Sequence, residues 1–115
     1  MSKRLHLTFS LVLFFFFNIP FSKADLLTPD SSILPTEVVK IQLVALMNND
    51  NEYKDRGIDQ TWSFAHPNNK KNTGPLPNFK MMIKGNTYQM LLNHLSHTIT
   101  KIVSTDEWAQ FEVVI

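Results

Sequence analysis

From Pro35 onward the chain falls into a helical rhythm. In PTEVVKIQLVALMNND (Pro35 to Asp50), Val39, Leu43, Leu46 and Met47 recur at i, i+4, i+7 and i+8, the spacing that gathers apolar side chains on one face of a helix. Pro35 suits a first turn, where its missing N–H costs nothing, and Glu37 complements the dipole there. Asn48-Asn49-Asp50 ends the element. NEYKDRG (Asn51 to Gly57) has no apolar period and reads as a loop. Ile58, Trp62 and Ala65 restore the i, i+4, i+7 spacing, with Asp59 near the start. They predict a short second helix stopped by Pro67, because the residue before a proline, here His66, is pushed out of the helical region. The following asparagines and lysines read as a polar loop. A third helix starts near Thr73-Gly74-Pro75 and carries Leu76, Phe79, Met82 and Ile83. Lys80 and Lys84 lie toward its negative end, and Gly85-Asn86 closes it.

After Gly85 the period shortens. Tyr88 to Leu95 fits neither pattern. HTITKIV (His97 to Val103) alternates and is rich in β-branched residues, which predicts a strand. Ser104 to Glu107 reads as a hairpin turn and WAQFEVVI (Trp108 to Ile115) as the returning strand. Helices first and strands afterwards make an α+β domain. Two strands are fewer than a small sheet ordinarily needs, and the sequence ends at Ile115 inside the second. The expectation is therefore an incomplete sheet.

The first two dozen residues follow another logic. Lys3, Arg4 and His6 precede an apolar run, Leu7 to Phe17, then Pro20 and Ser22-Lys23-Ala24. A basic start, a short apolar stretch and a small-x-small site describe a secretory signal peptide over residues 1–24, cut after Ala24. The run is about ten residues long, well short of the roughly twenty that span a membrane. Secretion is the expected destination, with membrane anchoring by an uncleaved leader as the alternative. Residues 25–34 are a turn-rich lead-in expected to be mobile, and residues 35–115 form a single domain.

Removing the leader changes the charge. All ten acidic residues follow Ala24, whereas Lys3, Arg4 and Lys23 precede Asp25, so the net charge passes from +1 to −2. No sustained basic face is left for a nucleic acid. The chain has no cysteine and no Asn-x-Ser/Thr sequon, so neither disulfides nor N-glycans support this small domain.

Three blocks, PTEVVKIQLVALMNND (35–50), GIDQTWSFAHPNNKKNTGPLPNFKMMI (57–83) and YQMLL (88–92), resemble in order and wording the DUF4864 family, plant and bacterial domains of unknown function related to the cone-shaped NTF2-like fold. The resemblance covers about residues 35–115. It implies three helices packed on a curved antiparallel sheet with a pocket inside the cone, and no established activity. His66 stands where the family has a serine, and the strands that follow the final "V-V" in the family are missing here.

NTF2-like folds include isomerases and dehydratases that use an Asp or His in an apolar pocket as general base. Asp59, His66, Tyr88, His94 and His97 are the residues such a reading would use. Each has a plainer role: Asp59 as dipole complement in a first turn, His66 as the C-terminal residue of a helix, Tyr88 as a core ring with a surface hydroxyl. His94 and His97 share a face if helical and lie on opposite faces if extended. Two histidines lack the third ligand a zinc site wants. Lys70-Lys71 could attract an anion but reads as a solvated pair. Trp62, Phe79, Tyr88, Trp108 and Phe111 are the expected pocket lining, with no catalytic residue, metal ligand or cofactor assigned. The function expected is a non-catalytic ligand- or protein-binding domain, with Phe111 to Ile115 as an open edge for a homodimer or partner strand. The alternatives are a truncated, inactive fragment of a longer protein and a small isomerase- or dehydratase-like enzyme.

Overall fold

The computed structural model describes residues 25–115. The leader read from residues 1–24 lies outside the described residues. No helix among them is long and apolar enough to cross a membrane.

Helix α1 (Pro35–Met47) runs as its pattern predicts, with Pro35 in the first turn and Leu43 and Leu46 buried. Its end is made by Asn48, whose N–H reaches the carbonyls of Val44 and Ala45. The chain then doubles back through a polar knot. Asn49 is 2% exposed. Its carbonyl accepts from Gly57 N at 3.0 Å, and its side-chain oxygen accepts from Ile58 N at 3.0 Å. Its amide donates to Asp50 at 3.2 Å and to Asp55 at 3.3 Å. These bonds start helix α2 (Arg56–Ser63) two residues before the apolar period resumes, from Asp55 in a left-handed conformation (φ 66°). Gly57 faces α1 so closely that a Cβ there would collide with the Ala45 carbonyl. Gln42 donates to the Thr61 carbonyl at 3.2 Å and completes the α1–α2 pair.

The polar stretch after α2 corrects the sequence reading. Residues Pro67–Thr73 form a helix, α3, rather than a loop. His66 does not end α2, which stops at Ser63 with Phe64 as its cap. It begins α3, extended (φ −60°, ψ 144°), with Nδ1 accepting from Asn68 N at 3.1 Å. Pro67 thus occupies a first turn, where it is tolerated. Gly74 closes the helix through a 2.9 Å bond to the Lys70 carbonyl. Helix α4 (Leu76–Lys84) follows, with Phe79 and Ile83 buried. The ambiguous stretch holds a single 3-10 turn, Gln89–Leu91, then Asn93 at φ 56°.

Strands β1 (Thr98–Ser104) and β2 (Ala109–Val114) make the antiparallel hairpin within a residue or two of the expected bounds. Ser104 pairs with Ala109, and Thr105 N donates to the Trp108 carbonyl at 2.7 Å. The Thr105 hydroxyl accepts from Glu107 N and Trp108 N, which fixes the short turn between the strands. Between Lys101 and Val103 the register slips, leaving Ile102 as a bulge.

Among the described residues the fold is therefore α+β with four α-helices, not three, and a two-stranded sheet. The core is interhelical: Leu46, Ile58, Phe79 and Ile83, backed by Trp62, Leu76, Met82, Leu91 and Leu92. The lead-in, 25–34, has no helix or strand, but it is tied down. Leu27 N donates to Gln60 at 2.8 Å, and the Gln60 amide returns a bond to the Leu27 carbonyl at 2.9 Å.

The knot also holds a charge pair. Lys84 Nζ donates to the Asp55 carboxylate at 2.6 Å. Burial alone would raise the Asp55 pKa, but Lys84 and the Asn49 amide outweigh it, so the carboxyl sits below its ordinary value. Asp50 is lowered too, chiefly by the Asp55 N–H and then by Asn93. A depressed folded pKa contributes stability that is full above the unfolded value, about 3.9, and is lost as pH falls through the folded one. Lys84→Met should cost about 1–2 kcal/mol at neutral pH, less than a fully buried pair because the lysine side chain is 42% exposed. The deficit against wild type should shrink below pH 4. Urea melts at pH 7 and pH 3.5 check this; an equal deficit at both values would show that Asp55 gains nothing from the pair.

Candidate functional site

Two features stand apart from the core: the hairpin and a groove beside α1. The hairpin's cross-strand partners share a face. Ile99, Lys101, Phe111 and Val113 lie on one side, and Thr98, Thr100, Glu112 and Val114 on the other. Ile99 and Phe111 are half-buried, so the first side is turned toward the helices. Much apolar surface stays uncovered: Ile102 is 56% exposed, Trp108 54% and Val114 54%. Neither outer edge of the sheet has a neighbouring strand among the described residues.

The groove is a cavity of about 450 Å³ between α1 and the segment holding Leu27. Ile41, Val44 and Ala45 supply apolar wall, and Lys40, Arg56 and Glu52 lie among its polar residues. Its fixed side is the Gln60–Leu27 clasp. Sequence reading missed it by following one stripe of α1, through Val39, Leu43 and Leu46. A second apolar stripe, Ile41, Val44 and Ala45 at i, i+3, i+4, was the available signal.

The residues expected to line a pocket are scattered. Trp62 and Phe79 meet at a centroid distance of 5.1 Å as part of the interhelical packing. Tyr88 is not a core ring; it is 42% exposed. Trp108 sits at the hairpin turn, and Phe111 is half-buried in β2. None of the five lines the groove.

The polar candidates are engaged in structure. The Asp59 carboxylate takes the Lys80 ammonium at 3.1 Å and the Tyr53 hydroxyl at 3.1 Å, joining α2 to α4. Burial raises the Tyr53 pKa, and its bond to Asp59 raises it further, so the phenol stays a donor. Lys70 stands over the Trp62 ring at 5.4 Å, a cation–π contact, while Lys71 is exposed.

His94 and His97 do come together. His94 Nδ1 lies 2.7 Å from the Leu91 carbonyl, and its Nε2 lies 2.8 Å from His97 Nδ1. A carbonyl only accepts, so His94 Nδ1 carries a hydrogen, and a second hydrogen is shared between the two rings. The ring centroids are 5.0 Å apart, nearly the longest separation a 2.8 Å N···N contact allows. The nitrogens therefore point at each other, as in proton sharing, and not at a common metal. No group of three or more potential metal ligands exists among the described residues. The pair ties the end of the helical body to the start of β1. Compared with models of known families, with curated proteins and with solved structures, the chain finds no match in any of the three.

Proposed function

We propose that this chain is a secreted, non-catalytic binding domain of the DUF4864 kind, with an NTF2-like arrangement, that engages another polypeptide by adding a strand to the hairpin. The observation that carries this reading is the open edge of β2, a regular strand beside uncovered apolar side chains. An unpaired edge offers a row of backbone donors and acceptors to a second chain. The occupation of Asp59 by Lys80 and Tyr53 supports a non-catalytic role.

A second copy is the partner whose chemistry fits. Antiparallel pairing of two β2 edges about Val113 would set Val113 against its counterpart, Phe111 against Ile115, and Glu112 against Val114. No like charges then stand opposite each other. Light scattering on the full chain should give twice the monomer mass. Val113→Lys should give the monomer mass with an unchanged circular dichroism spectrum, because two ammonium groups would meet at the symmetry axis. A wild-type protein that stays monomeric at high concentration would end this reading.

A further inference from the structure

We infer that the groove beside α1 is a binding site for a small amphipathic carboxylate, its apolar body against Ile41, Val44 and Ala45 and its carboxylate on Arg56. The inference stands apart from the hairpin reading, since none of the hairpin residues lines the groove.

The apolar half of the argument lies in α1. One stripe of this helix enters the core, and the second does not. Val44, in the last turn of the helix, is left 40% exposed. A helix that is apolar on two opposite sides is ordinarily covered on both. Here the second cover is the Leu27 segment, and it stands off to leave the cavity of about 450 Å³. That volume lies in the range of small-molecule pockets, roughly 300–1,000 Å³. The wall is built in advance: Gln60 is 2% exposed and holds both backbone groups of Leu27.

The polar half is Arg56. Its side chain is only 20% exposed, and Glu52 lies 3.0 Å from its Nε. That contact fixes the guanidinium but is poorly aligned as a hydrogen bond, for Nε is sealed from solvent without a well-directed acceptor. Glu52 is its ion-pair partner among the described residues, and no side-chain hydrogen bond from its Nη groups to those residues is formed. A guanidinium at the rim of an apolar groove whose Nη donors are not taken up by protein hydrogen bonds can exchange water for a ligand acceptor there. Its planar fork matches the two oxygens of a carboxylate. Glu37 and Lys40, also at the groove, offset each other, so selection rests on the fork and not on net charge.

Titration calorimetry with decanoate and with decan-1-ol, below their aggregation concentrations, tests the assignment on the full chain. Wild type should bind decanoate more tightly than the alcohol. Arg56→Gln should weaken decanoate about tenfold or more and leave the alcohol unchanged. Arg56→Lys, which keeps the charge without the fork, should fall between, and it decides the matter if Arg56→Gln fails to fold. Val44→Glu should weaken both ligands. Absence of decanoate binding to wild type, or equal decanoate affinity in wild type and all folded variants, would overturn the site. Equal weakening of acid and alcohol by a folded Arg56 variant would overturn the carboxylate assignment.

Discussion

Gly57→Ala is expected to lower the stability of the domain more than any other single-methyl addition. Its new Cβ would meet the Ala45 carbonyl of α1 well inside contact distance and the Asn49 side-chain oxygen at 2.7 Å. Neither neighbour can yield cheaply. The carbonyl belongs to the helix backbone, and the Asn49 oxygen is holding Ile58 N. Overpacking of this kind costs typically 1–3 kcal/mol, and with a rigid backbone as obstacle about 3 kcal/mol or more is expected. A domain of this size has only on the order of 5–10 kcal/mol to lose. Gly85→Ala is the matched control. Its Cβ would meet only the Met82 and Met81 carbonyls, at 3.2 and 3.5 Å, and the backbone there is ordinary (φ −76°). Thermal melts should show a large fall for the first and at most a small change for the second. Similar melting points would mean that α1 and α2 can slide apart at no cost.

Asn49→Ala is expected to come next, at about 3–4 kcal/mol, because one truncation strands several buried partners. Ile58 N loses its acceptor, and the carboxylates of Asp50 and Asp55 each lose a donor. The backbone bonds of residue 49, to Gly57 and from the residue's own N–H to the Asn93 side chain, would survive. Asn49→Asp separates geometry from charge. It keeps the acceptor for Ile58 but places a third carboxylate within about 3.3 Å of two others. Its deficit should be largest at neutral pH and should narrow as acid removes the repulsion. Urea melts of both variants across pH 4–7 provide the check, and a pH-independent Asn49→Asp deficit would rule out the electrostatic part.

The elements legible from sequence were those specified by their own periodicity. In α1, Leu43 and Leu46 were placed in the core by spacing alone, and the hairpin was placed by alternation around a polar turn. Helix α3 was illegible for the opposite reason. PNNKKNT holds no apolar side chain to mark a face; its specification lies in its ends, with His66 and Pro67 starting it and Gly74 stopping it. The start of α2 was hidden likewise, because Asp55 initiates it through tertiary bonds to Asn49, Asp50 and Lys84. The His94–His97 contact fell between two templates. The segment is neither helical nor a regular strand, and a bend at Leu95 between the two histidines brings the rings against each other. The groove was partly visible, since the second stripe of α1 is in the pattern, but the Arg56 position depends on a loop that has no period.

The bulge at Ile102 bears on how far assembly can go. A two-stranded ribbon with two usable edges would recruit copies end over end and grow into a fibre. Here the β1 edge is interrupted where the register slips and carries the exposed Lys101 beside the break, both devices that discourage pairing. Only the β2 edge is left uninterrupted, and an edge that pairs with its own symmetry mate is used up in doing so. If copies pair through β2 as proposed, the bulge would act as a chain terminator: association through this sheet would stop at two copies, and an apolar ribbon that is otherwise an aggregation hazard would be confined to a closed assembly.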